Sequence, residues 1–282
     1  MRERLLAVGL CLTLTSGLWA DEGHHHADAK EKLGTVSFSI SCSSQEQEAV
    51  ERGLSLLHSF WFDEAQKQFE DAVQQDPQCA MAYWVQAMGL YRPLAYRPSD
   101  ADMKQGWTLL QKAQALHAKT QRERDYIDAL AVFYRDDTRD YETRSREYSD
   151  AMEKVYRQYP ADVEAAVFYA MSLLTWGPDK DHPLTNPKKA IEILNRVFEK
   201  NPNHPGVAHY LIHAADAPSL APFGVSIRHS GKWSICRTIA RGSTLPVPIS
   251  VHHSSSTIAN SRSELSQGDA PTLRPSPRRP IR

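Results

Sequence analysis

The chain has 282 residues, 41% hydrophobic and 24% charged, with a formal net charge of −1. This is a globular composition able to bury a sizeable core in one or two domains. The balance hides a split: residues 225–282 hold nine Lys plus Arg against two acidic side chains, whereas 21–224 sum to −9. An acidic ordered region excludes a nucleic-acid surface, which needs a basic stripe interleaved with aromatics.

At the start, Arg2 and Arg4 precede an apolar run from Leu5 to Leu14. The run is too short to span a bilayer and is placed like the core of a secretory signal. Residues 1–20 are therefore expected to be a signal peptide, with the mature chain beginning near Asp21, although Leu18 is larger than the usual residue three before a cleavage point. Leu10, not a small residue, precedes Cys11, which argues against a lipoprotein. No later segment is long and apolar enough to span a membrane. Residues 21–45 read as a flexible segment, and its run His24 to His26, beside Asp28, reads as solvated histidine rather than a metal site.

Beyond it a spacing repeats. Ala65, Phe69, Ala72 and Pro77 are separated by four, three and five residues, and so are Ala190, Leu194, Val197 and Pro202. Tyr148, Met152, Val155 and Pro160 follow more loosely, and Met103, Trp107 and Leu110 lack the proline. Steps of four and three keep one stripe of a helix facing inward, and proline ends the helix. These are second helices of hairpins. First helices fit between them at 46–58, 79–91, 121–134 and 162–176, with Gly53 allowing close approach to the paired helix. Residues 46–217 therefore predict an all-α helical-hairpin solenoid. Copies begin 38, 45 and 42 residues apart, beyond the about 34 of a minimal tetratricopeptide repeat, so the loops carry the excess.

Gly53, Phe62, Ala65, Phe69, Ala72 and Pro77 together resemble one complete tetratricopeptide repeat. Four strings resemble more narrowly a family of exported bacterial tetratricopeptide-repeat proteins of unassigned activity. They are Leu33-Gly-Thr-Val-Ser-Phe with Ser41-Cys-Ser, Leu56-Leu-His-Ser-Phe, Asp76 to Trp84, and His204-Pro-Gly-Val-Ala-His-Tyr-Leu-Ile-His213. The resemblance covers about 33 to 224 and implies a repeat fold in an exported protein.

In the hairpin arrangement Cys42 precedes the first helix and Cys79 follows the second, so both lie at one end of the pair. An oxidising compartment favours a disulfide between them, worth roughly 3 to 4 kcal/mol on the loop-entropy argument. Two packed free thiols are the alternative.

The helix expected at 205–215 would be a first helix without its second, with Tyr210, Leu211 and Ile212 spreading apolar surface around it. That leaves self-association open. Its histidines, His209 and His213, stand four apart with Asp216 three further on, spacing that suits a divalent metal. No acid lies between the histidines, as a zinc hydrolase motif requires. Structural histidines bonding across the repeat are the competing reading, and no other cofactor is implied. His58, Trp61 and Trp84 read as packing residues. No Gly-rich phosphate loop, nucleophile elbow or CXXC pair is present.

Residues 225–282, with twelve Ser and six Pro, predict a basic disordered tail. The family continues past this point with more helices and histidines, so a changed reading frame near Gly224 is expected, a native basic tail being the alternative. The function expected is a non-catalytic scaffold, periplasmic or secreted, holding a protein or peptide partner on its concave face. Gln86, Asp128 and Glu164 are the candidate contacts, and a metal-dependent protein centred on His209 and His213 is the rival.

Overall fold

The computed structural model describes residues 33–136, 138–176, 182–217 and 219–220. The expected signal peptide, the His24–His26 run and the basic tail lie outside the described residues. Among the described residues the chain is all-α, with nine helices and no strand. They are α1 (Ser44–His58), α2 (Phe62–Gln75), α3 (Ala80–Tyr91), α4 (Asp100–Ala115), α5 (Gln121–Tyr134), α6 (Tyr141–Gln158), α7 (Val163–Thr175), α8 (Thr185–Lys200) and α9 (Pro205–Ala214). None of them is long and apolar enough to cross a membrane.

Local chemistry sets these boundaries. Ser43, Asp140 and Asp162 accept backbone N–H groups at the starts of α1, α6 and α7, while Ser99 with Asp102 and Thr120 with Glu123 form capping boxes on α4 and α5. Each such cap satisfies donors that have no partner within the helix. Pro77, Pro160 and Pro202 stand two residues beyond the ends of α2, α6 and α8, where a missing N–H and a fixed φ rule out another turn.

Each helix packs on the next, and α1–α3, α3–α5, α7–α9 and α1–α9 also touch. The odd and even helices differ in burial. Eleven of the twelve α3 residues and ten of the thirteen α7 residues are buried, against four of fourteen in α2 and four of sixteen in α8. Apolar all round, α3 and α7 form the interior together with the apolar faces of α1 and α5; the amphipathic even helices cover it with one stripe. That stripe is the repeated one: Ala65, Phe69, Ala72, Leu110, Tyr148, Met152, Val155, Ala190 and Leu194 are all buried.

Gly53 works as its spacing predicts. A Cβ built there would stand 2.2 Å from Cε1 of Phe69, and one on Gly89 of α3 would stand 3.2 Å from Cδ2 of the same ring. The Phe69 ring thus occupies the space that two missing side chains leave on α1 and α3.

Two expectations are corrected. α9 contacts α1, α7 and α8, so Tyr210 and Leu211 are buried and only Ile212 of the three is exposed, at 37%. The apolar face on which self-association rested is reduced to that residue. Residues 33–42, read as flexible, run extended with Leu33, Val36, Phe38 and Ile40 buried, the last three because alternate side chains of an extended chain point the same way. Cys42 and Cys79 are joined by a disulfide, 5.6 Å between Cα atoms.

Gly53→Ala is expected to lower stability by about 1–3 kcal/mol through overpacking against Phe69. Urea unfolding should show a lower midpoint at unchanged slope; a wild-type midpoint would mean the ring can turn aside.

Candidate functional site

Of the three residues proposed as partner contacts, Asp128 alone is exposed, accepting a 2.8 Å hydrogen bond from Gln114 Nε2. Gln86 is only 7% exposed and Glu164 is fully buried. They sit on α3 and α7, the two helices buried almost throughout, so their polar side chains are enclosed rather than presented. That corrects the surface assignment of Gln86 and Glu164.

Glu164 is instead the centre of a buried polar cluster. It is the second residue of α7, where the helix N-terminus favours negative charge. One carboxylate oxygen, Oε2, lies 2.9 Å from Nε2 of His58, the last residue of α1. The other, Oε1, lies 2.5 Å from Nε2 of His204, the N-cap of α9. His58 Nδ1 is 2.8 Å from the Tyr210 hydroxyl. The approach of α9 to α1 requires Gly206, since a Cβ there would meet His58 Nδ1 at 2.8 Å.

Hydrogen-bond complementarity assigns the protons. The Val207 N–H donates to His204 Nδ1, so that nitrogen carries a lone pair and Nε2–H faces Glu164. Burial alone would raise the Glu164 pKa, but the His204 and His58 imidazoles overcome it and hold the carboxyl well below its usual range. Burial lowers the His58 pKa further than Glu164 raises it. A neutral His58 donates from Nε2 to Glu164 and accepts at Nδ1 from Tyr210, whose hydroxyl burial keeps firmly protonated. Every donor then meets an acceptor.

The ligand atoms of His58, Glu164 and His204 lie within 4.8 Å of one another, enough to consider a metal ion. A metal on His204 Nε2 would move that proton to Nδ1 and set it against the Val207 N–H. The protonated arrangement fits without conflict, so the cluster acts as a clamp joining α1, α7 and α9.

The predicted pair on α9 is separate. His209 and His213 do converge, with Nε2 atoms 3.2 Å apart. His209 Nδ1 is 2.7 Å from the His58 carbonyl oxygen, which can only accept, so Nδ1 carries the proton and Nε2 the lone pair. Burial first, then the neighbouring His213, drives the His209 pKa down to about 3. Asp216 does not join them: it is exposed, and among the described residues the three-ligand cluster is the one at Glu164. Trp84 is a packing residue as read, its Nε1 donating to the Tyr126 carbonyl. His58 was read as packing too, but both its ring nitrogens are committed to polar partners. No local signal could have found it, because Glu164 lies 106 residues away.

The extended segment forms a second built region. Thr35 N–H donates to the Asn203 carbonyl before α9, and Phe38 N–H to Glu51 on α1. Arg122 of α5 donates to the Ser39 carbonyl, pairs with Asp162, and lies 4.5 Å over the Phe38 ring. Ser41 donates through both N–H and hydroxyl to Glu123, and Phe38 packs on Trp84 and Tyr126. Residues 33–42 thus cross the starts of α9, α5 and α3.

Glu164→Gln is expected to lower the unfolding free energy by roughly 3–5 kcal/mol, as when one partner of a buried polar pair is removed. Acid should destabilise the wild type in two windows. His58 and His209 stay neutral in the fold, so the unfolded chain takes up protons as pH falls below 6.5. Each then removes up to about 1.4 kcal/mol per pH unit, for His209 down to about pH 3. The contribution of Glu164, whose folded pKa is depressed, is complete above 4.5 and is lost as pH falls below it. Urea titrations in a chelator from about pH 8 to 4 measure this; constant stability between pH 7 and 5 would contradict neutral buried histidines. Comparison with protein-family models gives no match, and neither does comparison with curated proteins.

Proposed function

We propose that this chain is an exported bacterial scaffold of the tetratricopeptide type, a helical-hairpin solenoid without catalysis that binds an extended protein or peptide segment. One observation carries the reading: the odd-helix face already holds such a segment, residues 33–41 of its own chain. Val36, Phe38 and Ile40 face inward and are buried, while backbone groups of Phe38, Ser39 and Ser41 bond to the surrounding helices and that of Thr35 to Asn203 between α8 and α9. Backbone hydrogen bonds plus pockets for alternate side chains is how extended peptides are generally recognised. A partner with the same alternation exchanges with the internal segment. The Cys42–Cys79 disulfide tethers that segment beside its site, so it competes at high effective concentration.

Export rests on the basic and apolar start of the sequence and accounts for a persisting disulfide. The acidic charge of 21–224 favours a partner that is not itself strongly acidic.

The test uses the full chain, its Phe38→Ala variant and a labelled peptide of residues 33–41. Removing the Phe38 ring weakens the internal contact by several kcal/mol, raises the open fraction, and improves apparent peptide affinity in proportion. Fluorescence anisotropy should show the variant binding at least about tenfold more tightly than wild type. Failure of both chains to bind would refute this recognition mode.

A further inference from the structure

We propose that His209 and His213 form a two-imidazole site for a divalent transition metal of the zinc, copper or nickel type, open to solvent on the His213 side. α9 places the histidines one turn apart on one face. Their Nε2 atoms stand 3.2 Å apart. Two nitrogens bound to one zinc at about 2.0–2.1 Å would be about 2.9 Å apart at a right angle and about 3.4 Å apart at the tetrahedral angle. The rings already have the separation an ion demands.

Orientation is the second argument. The bond from His209 Nδ1 to the His58 carbonyl commits the proton to the far side of the ring and aims the Nε2 lone pair at His213. A ligating histidine commonly donates its other N–H to a carbonyl or carboxylate in this way, which fixes tautomer and ring plane. The anchoring carbonyl is itself immobilised, because the His58 side chain is held by Glu164 and Tyr210. Phe60 packs at 4.1 Å from the His209 ring and 5.4 Å from that of His213. Phe60 has a φ of 62°, a conformation uncommon outside glycine, and there its ring lies against both imidazoles.

The chemistry selects the ion. Two neutral nitrogen donors suit zinc, copper and nickel and disfavour calcium and magnesium, which take oxygen. Binding needs only the His213 proton to move from Nε2 to Nδ1, and His213 is half-buried, the more accessible of the two rings. The remaining coordination positions fall to water or to a donor brought by a partner.

Zinc is the probe, on the full chain in three forms: wild type, His213→Ala, and His24→Ala/His25→Ala/His26→Ala. His213 is the less buried of the pair, and circular dichroism checks that its truncation leaves the fold. Equilibrium dialysis with elemental analysis should find about one zinc fewer per chain in His213→Ala than in wild type. Saturating zinc should raise the melting temperature of wild type and of the triple variant but not of His213→Ala, since an ion on the folded pair stabilises the fold. Equal zinc content in wild type and His213→Ala, or a thermal response that survives His213→Ala, overturns the proposal and assigns the ion elsewhere.

Discussion

A carboxylate with no exposed surface has to be surrounded by donors, and Glu164 meets that demand with imidazoles from two helices far apart in the sequence, α1 and α9. His58 ends α1 and His204 begins α9, 146 residues later. Because burying an ionised carboxylate without partners would cost many kcal/mol, α1 and α9 are not free to separate. The contact between α1 and α9 is therefore a polar requirement as well as an apolar one. Tyr210 and Gly206 extend it, the first by completing the His58 hydrogen bonds and the second by leaving room for the ring.

The rest of the interior follows from that closure. With α1 against α9, α3 and α7 enclose Gln86 and Glu164, and the segment 33–42 runs across the starts of α9, α5 and α3 as an internal occupant. Arg122 ties the two arrangements together: it bonds the segment at Ser39 and pairs with Asp162, the N-cap of α7, two residues from Glu164. The His209–His213 pair depends on the same clamp, since the His58 carbonyl that orients His209 belongs to a residue the clamp fixes.

Local patterns in the sequence made the helices legible. The four-three stripes, the prolines beyond them and Gly53 each express a physical rule acting within a few residues, so Phe69 and its glycine partners could be read directly. Cys42 and Cys79 were legible one level up, once the hairpin put them at the same end. Half of the histidine arrangement was legible, because His209 and His213 belong to one helical turn. The clamp was not: His58, Glu164 and His204 meet through tertiary contact alone, and Glu164 looks like any acidic residue in a first turn. The extended segment was missed for a similar reason. Val36, Phe38 and Ile40 alternate with small polar residues over too short a run to signal an element, and their partners are helix ends distant in sequence.

The most direct test of the clamp is amide hydrogen exchange resolved over α9 and the last turn of α1, in wild type and in Glu164→Gln. If Glu164 joins α1 and α9, α9 amides in the wild type exchange together with those of α1, among the slowest in the protein. In the variant both regions exchange faster while α4 and α6 keep wild-type rates. Rapid, independent exchange of α9 in the wild type, unchanged by Glu164→Gln, would show that packing alone holds α9 and would contradict the account.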